Sequence, residues 1–455
     1  MLNARTVSFS ELPPPPAVRP GQDEPVVRVR PPGPASRTWL TRLARTAAPM
    51  GPKADGGPKR GIVADVPPWT VVYATATGSN VLDVDGNRYV DLVAGFGALL
   101  LGHGHPRVLK ALELQSSRLL MALGDVYPAD ARIALSERLA ALHVDPHAKV
   151  ILGQSGADAV TAALKTAQLA TGRPGVVAFA GAYHGLSYAP LSACGFRESY
   201  REPFAAQLSP HVRFVPYPAE DLDASLEGVR SHLARGDVGA VLLEPILGRG
   251  GCIVPPEGFA AEVGRLCQEA GALLIADEIW TGLGRSGKLL AAGRDGHFPD
   301  IVCLGKGLGG GLPISACIGR GDVMAAWRQE HEVVHTTTFT GAPLPCTTAL
   351  ATLDVLSKER LPARAAEVGA RWLATLHARL ASTNVRARGA GFMIGIDVGR
   401  AGGGSRLMHR LLERGYLTST GGTDRSVLVL TPPLNIAEDL LEGFTEALLD
   451  ALEPS

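Results

Sequence analysis

Lys306 lies between glycines in Leu304-Gly305-Lys306-Gly307-Leu308-Gly309-Gly310-Gly311, directly after the apolar run Ile301-Val302-Cys303-Leu304. A second apolar run, upstream, ends in Asp277-Glu278. A solvated lysine in a surface turn needs neither a buried strand before it nor glycines on both sides. The amine and the carboxylate together suit one kind of chemistry. A lysine amine condenses with an aldehyde to an imine, and a carboxylate keeps a pyridine nitrogen protonated, so that the ring drains electrons from a carbanion. Pyridoxal 5'-phosphate is therefore the expected cofactor, with Lys306 and Asp277 as the catalytic residues.

Four further segments have the residue types to complete such a site. Gly153-Gln154-Ser155-Gly156-Ala157 follows a predicted strand and opens a helix, so its backbone N–H groups and the helix dipole suit a phosphate. Gly181-Ala182-Tyr183-His184-Gly185 offers an aromatic ring to stack on a flat cofactor, although a tyrosine that fills a loop explains those residues equally well. Thr336-Thr337-Thr338-Phe339-Thr340-Gly341 presents hydroxyls for a phosphate, and threonine runs are also ordinary strand material. Arg388-Gly389-Ala390-Gly391 sets a guanidinium before a glycine-rich turn, a fork for a carboxylate. His103, His105 and His184 are read as hydrogen-bonding residues. The first two lack the helical i, i+4 spacing of a two-histidine metal site, and no metal is expected.

The elements that position these segments are legible as an alternation. Strands are predicted at Lys149–Leu152, Gly175–Phe179, Val212–Val215, Ala240–Leu243, Leu273–Ala276 and Ile301–Leu304. Between them, Ala157–Thr171, Leu222–Ala234 and Gly258–Ala270 carry apolar residues at helical spacing. This is an α/β pattern, a mostly parallel sheet covered on both faces, whose sites gather at the carboxyl ends of the strands. Val81 to Asp91 reads as two strands around an Asp-Gly-Asn turn. Helices at Thr348–Leu356 and Pro362–Ala381, with strands at Met393–Asp397 and Val427–Leu430, suit a smaller α+β domain built from both chain ends. The expected division is a Pro-rich, partly disordered arm over residues 1–60, with a helix near Ser36–Thr46, and a first part of the small domain over 61–110. A large cofactor-binding domain over 111–345 and the rest of the small domain over 346–455 complete it.

Composition narrows the partners. The 455 residues carry 44 basic and 44 acidic side chains, so nothing favours nucleic acid or an anionic membrane. No apolar run approaches the roughly 18 residues of a membrane span. Six scattered cysteines without a CxxC pair, and no apolar leader, make a cytoplasmic protein the expectation.

In this order, the segments resemble the class III aminotransferases, the omega-, ornithine- and 4-aminobutyrate-type branch of the fold-type I pyridoxal phosphate enzymes. The likeness runs from about Gly78 to Leu434 and implies a large domain with a mostly parallel, seven-stranded-type sheet flanked by helices, plus a smaller α+β domain from both chain ends. It is carried by Leu82-Asp83-Val84-Asp85-Gly86-Asn87, Leu101-Gly102-His103-Gly104-His105-Pro106, Ser155-Gly156-Ala157-Asp158-Ala159, Ala182-Tyr183-His184-Gly185 and Glu244-Pro245. Most specific are Ala276-Asp277-Glu278-Ile279-Trp280-Thr281-Gly282-Leu283-Gly284-Arg285-Ser286-Gly287 and Gly305-Lys306-Gly307.

The resemblance implies a transaminase that moves an amino group from an amine, omega-amino acid or amino acid to a keto acid (2-oxoglutarate or pyruvate) by a ping-pong scheme. Lys306 is implied to bind the cofactor as an imine and shuttle a proton, and Asp277 to pair with the ring nitrogen, with Glu278 supporting the turn. Ser155, Gly156, Ala157, Tyr183, His184, Glu244, Ile279 and Trp280 are implied cofactor contacts. Thr338 is implied to reach the phosphate of a neighbouring subunit, in a homodimer with composite sites. An aminomutase or racemase of the same family, or a scaffold that has lost catalysis, are the alternatives. Two positions depart from the pattern. Trp280 stands where many members have a glutamine, and Arg249, in Glu244-Pro245-Ile246-Leu247-Gly248-Arg249, stands where glutamate-dependent members have the glutamate that masks the arginine matching Arg388. Arg249 is thus expected either to turn to solvent or to join Arg388 in binding an acceptor carboxylate, while Phe96 and Trp280 line an apolar donor channel.

Overall fold

The computed structural model describes residues 21–48, 69–219, 222–292, 297–328 and 333–453. Of the Pro-rich arm, residues 1–20 and 49–60 lie outside that range, as does the expected onset of order at Pro67-Pro68. The helix predicted within the arm is present at Pro34–Leu43.

Three antiparallel strands come first: β1 (Tyr73–Thr77), β2 (Asn80–Asp83) and β3 (Arg88–Asp91). The Asp83 carboxylate closes the β2–β3 turn by accepting from the N–H groups of Asp85 and Asn87 and from the Tyr89 hydroxyl. Gly86, at φ 84°, supplies the left-handed residue that the turn needs.

The central sheet has seven strands: β4 (Lys149–Gly153), β5 (Gly175–Phe179), β6 (Val212–Val215), β7 (Val238–Leu243), β8 (Leu273–Asp277), β9 (Ile301–Leu304) and β10 (Ser315–Gly319). Their spatial order is β4-β10-β9-β8-β7-β5-β6. Strands β5 to β9 pair in parallel, whereas β10 runs antiparallel to both β4 and β9. Every residue of β7, β8, β9 and β10 is buried, as a sheet with covered faces requires. All six predicted strands are found there. The seventh, β10, is an addition: Ser315-Ala316-Cys317-Ile318-Gly319 is short, small and preceded by glycines, so it reads as loop until β4 and β9 close on it.

Because β10 alone is reversed, β4, β5, β7, β8 and β9 all end on one edge of the sheet. The five loops leaving that edge carry Ser155, Tyr183, Glu244, Asp277 and Lys306. The helix Gly156–Thr171 starts there, fixed by a capping box in which Ser155 and Asp158 each accept the other's backbone N–H. Replacing Ser155 with alanine is expected to cost about 1 kcal/mol of stability, read by chemical denaturation. An unchanged midpoint would show that the cap contributes nothing.

A smaller sheet follows, from β11 (Arg386–Ala390), β12 (Met393–Asp397), β14 (Ser419–Gly421) and β15 (Val427–Leu430), in the order β11-β12-β15-β14. Strand β13 (Tyr416–Leu417) instead runs parallel to β3, so segments far apart in sequence share one sheet. The predicted helices of the tail appear as Pro343–Lys358 and Leu361–Leu380. Arg285, fully buried, ties the central layer to this region: its Nη1 donates to the carbonyls of Phe392 and Pro432. Burial pulls its pKa down to about 9. Among the described residues, no helix is long and apolar enough to cross a membrane.

Candidate active site

Lys306 opens a single 3-10 turn, Lys306–Gly309, directly after β9. Its φ of 39° is left-handed, a conformation that costs a non-glycine residue roughly 1–3 kcal/mol and persists where the surroundings fix it. Gly305 before it and Gly307 after it leave room: a Cβ on Gly307 would lie 2.4 Å from Leu100 Cδ1. The lysine Nζ stands 4.4 Å from the centroid of the Trp280 ring. Burial lowers the amine pKa to about 8, against the opposing pull of the Asp277 and Glu244 carboxylates and with help from the Arg249 charge. Only the neutral amine attacks an aldehyde. Cofactor capture by the apoprotein is therefore expected to quicken about tenfold per pH unit up to about pH 8 and then level off. Stopped-flow mixing with pyridoxal phosphate reads this directly, and a rate still climbing steeply at pH 10 would contradict it.

Asp277 ends β8 and is buried. Its Oδ2 lies 2.7 Å from His184 Nδ1, and its Oδ1 accepts the Ile279 N–H at 3.1 Å. The histidine thereby orients the carboxylate, while His184 Nε2 is buried without a partner. Glu244, at the end of β7, accepts from the N–H groups of Tyr183 at 2.7 Å and Gly248 at 2.9 Å. Burial raises its pKa to about 7. Its role is to hold two loops, one bearing Tyr183 and the other Arg249. Glu278 turns the other way, accepting from the Thr281 hydroxyl and the Ala292 N–H, so it supports the turn as the sequence implied.

Opposite Asp277, the Ile279 side chain packs on two glycines. A Cβ on Gly156 would come within 2.7 Å of Ile279 Cδ1, and one on Gly305 within 3.3 Å of Ile279 Cγ2. A Cβ on Gly305 would also lie 3.4 Å from Gly156 Cα, so the helix start and the lysine turn approach closely and leave a backbone-lined cradle. Gln154 Nε2 donates to Thr337 Oγ1 at 2.9 Å, which draws the threonine segment toward this loop, and Thr338 beside it is exposed. Trp280 Nε1 is buried without a partner, next to Gly97, where a Cβ would sit 2.5 Å from it. Phe96, 63% exposed and at φ 56°, is the neighbouring residue and stands at the rim. A glycine cradle at a helix start, a strand-end carboxylate and lysine, and buried unpartnered nitrogens on His184 and Trp280 fit a flat phosphorylated ring.

The model of the family described as aminotransferase class-III matches residues 63–452. The chain belongs to the class III aminotransferases. An acetylornithine aminotransferase from Mycobacterium tuberculosis is 38% identical over 379 residues, covering 83% of this chain and 90% of its own. One from Methanosarcina acetivorans is 34% identical over 381 residues, covering 84% and 91%. Among solved structures, the ornithine aminotransferase of Toxoplasma gondii superposes with a TM-score of 0.79 at 29% identity, over 91% of this chain and 93% of that one. An amine transaminase from an uncultivated Pseudomonas species, in its pyridoxal phosphate-bound form, gives 0.81 at 28% identity, over 89% and 97%. This aminotransferase is thus a fold-type I, pyridoxal phosphate-dependent enzyme.

Arg388 and Arg249, the two arginines proposed for the acceptor, have different partners in this aminotransferase. Arg388 Nη1 lies 3.0 Å from Asp397 Oδ2, on the next strand of its own hairpin, and its Nε donates to the Gly251 carbonyl at 2.8 Å. Arg249 does not turn to solvent. Its guanidinium carbon lies 4.6 Å from the centroid of Tyr183, 5.2 Å from Phe196 and 5.7 Å from Tyr200, and Nη2 reaches the Tyr200 hydroxyl at 3.2 Å. Asp397, Phe196 and Tyr200 are site residues that sequence reasoning missed. An acid on β12 had no visible partner, and Phe196, in a bend, and Tyr200, on a short helical turn, belong to no motif. His103 and His184 hydrogen-bond Asp91 and Asp277, as read, and His105 lies 4.0 Å from Glu359.

Proposed function

We propose that this aminotransferase transfers an amino group from an omega-amino acid or amine to a keto acid in two half-reactions, with the donor product leaving before the acceptor binds. The supporting observation is Lys306 just past the end of β9, its amine held low in pKa by burial and acted on by the charges of Asp277 and Glu244, two buried acids at the ends of neighbouring strands. Relatives named acetylornithine and ornithine aminotransferase support a donor whose reacting amine is distant from a carboxylate.

When bound, pyridoxal phosphate supplies an electron sink for the substrate carbanion. The chain does the rest. Lys306 would hold the cofactor through its amine and, once free, would carry a proton to and from the substrate carbon as general base and acid. Asp277, held by His184, keeps the ring nitrogen protonated. Backbone N–H groups at Gly156 and Ala157, with the Ser155 hydroxyl, take the phosphate at the helix start. Tyr183 and Ile279 would pack against the ring. Trp280 closes the side where a glutamine is common. Arginine at the mouth takes the acceptor carboxylate, Arg388 being the candidate named from sequence.

Thr338 is proposed to complete the phosphate site of a partner subunit. Leu119, Leu120, Leu123, Val126 and Tyr127, together with Val333, Val334 and Phe339, leave large apolar side chains exposed on segments linked through Thr336 and Asp125. A run of that kind is covered in an oligomer. All six cysteines are free and buried, which suits a reducing, cytoplasmic setting.

The test is isotopic. A donor labelled with nitrogen-15, incubated with unlabelled 2-oxoglutarate or pyruvate, is expected to yield a labelled amino acid from the acceptor, with no turnover when the keto acid is omitted. Product formed from the donor alone, with its nitrogen retained, would replace this reading by the aminomutase or racemase.

A further inference from the structure

Charge is unevenly compensated around the mouth of the site. Arg388 is met within its own hairpin by Asp397 and is bound sideways to the Gly251 carbonyl. A Cβ on Gly251 would lie 2.8 Å from Arg388 Nη2, so the guanidinium is laid flat along the loop that carries Arg249. In that position it buttresses the loop.

Arg249 and Arg197 are differently placed. Both lie against one ring, with guanidinium carbons 5.2 Å and 4.8 Å from the centroid of Phe196. Gly422 links them: its N–H donates to the Arg249 carbonyl at 2.9 Å, and its carbonyl accepts from Arg197 Nη2 at 3.3 Å. Among the described residues, neither arginine has a carboxylate within ion-pair distance. The acid in the neighbourhood, Asp424, accepts the Ser426 N–H at 2.9 Å. Arg197 Nε is buried with no acceptor. A buried guanidinium donor left unmatched is costly, and an aromatic cage alone supplies no acceptor for it. Arg249 also lies against the Tyr183 ring, the ring proposed to meet the cofactor, and so joins this pair of arginines to the site. The Arg249 charge is felt at that lysine.

We infer that Arg249 and Arg197 form the anion subsite of this enzyme and that it is built for a dicarboxylate keto acid, with Arg388 a positioning residue behind it. Two cations without a direct ion pair, Asp424 acting on Arg197 only through space, match two carboxylates, whereas a monocarboxylate such as pyruvate leaves one of them without a partner. The inference rests on the proposed transaminase function and moves acceptor recognition away from the arginine that the sequence singled out.

Glutarate has the two carboxylates and no keto group, so it binds without turnover. Titration calorimetry on the holoenzyme is expected to show glutarate binding more tightly than butyrate. Arg249→Gln and Arg197→Gln are each expected to weaken glutarate about tenfold or more, and Arg388→Gln less than about threefold. The visible cofactor band of each variant reports an intact site. If Arg249→Gln fails to take up cofactor, Arg197→Gln, whose guanidinium lies against Phe196 rather than Tyr183, carries the same test. The inference is overturned if Arg388→Gln gives the large loss while the other two bind as wild type. It is also overturned if glutarate binds no better than butyrate. A wild-type protein with no cofactor band would instead refute the transaminase function, a failure distinct from either binding result.

Discussion

Alanine at position 306 is expected to reduce each half-reaction by about 10⁴-fold or more, because one side chain serves as both cofactor anchor and proton carrier. The loss should fall on kcat, with donor affinity little changed. Cofactor is still expected to bind through the helix start and Asp277, but without a borohydride-fixable link to the chain. Folding should not suffer. The native site holds a buried amine that burial already disfavours as a cation, and alanine removes that group while keeping the same backbone. Single-turnover kinetics with a saturating donor measures the effect, and a residual rate within tenfold of wild type would mean that another group moves the proton. Added methylamine gives a second readout: partial rescue is expected if the missing function is proton transfer, and none if the pocket has collapsed.

Asn at position 277 is expected to lower turnover about 10³-fold, the scale on which removing a preorganised charge from a buried site acts. The carboxylate at 277 is ionic support for a protonated ring nitrogen, and a neutral amide cannot supply it. His184 Nδ1, now 2.7 Å from Asp277 Oδ2, would face an amide, so the histidine also loses its charged partner. Glu278→Gln is the control. Glu278 is just as buried but is spent on Thr281 and Ala292, so its change should lower stability with activity within about tenfold. Equal losses at both positions would show that the acid pair acts only as scaffold.

The chain discloses its architecture where local signals are strong. Strands β5, β6 and β9 lie at the predicted residues, because β-branched and aromatic runs bounded by turn residues leave little freedom. Lys306 and Asp277 were legible for a related reason: Asp277 ends a buried strand and Lys306 follows one by a single glycine, where a charged side chain has no structural purpose. Strand β10 was not, since Ser315–Gly319 has small residues without alternation and becomes a strand only by inserting between β4 and β9. The same holds for the arginines. The departure at Arg249 was visible as a missing glutamate, but its cage comes from Tyr183, Phe196 and Tyr200, about fifty residues or more before it. The Asp397 that relieves Arg388 lies across a hairpin whose register the sequence does not print. Contacts of that kind depend on how loops from separate strands meet, and only the folded edge of the sheet brings them together.

The most direct test of the central claim is a mass map of the holoenzyme after borohydride reduction. The reduced, digested protein should contain one phosphopyridoxyl adduct, on the peptide bearing Lys306, and prior addition of an amine donor should abolish it by releasing the lysine. An adduct on another lysine, or one that no donor displaces, would contradict the account.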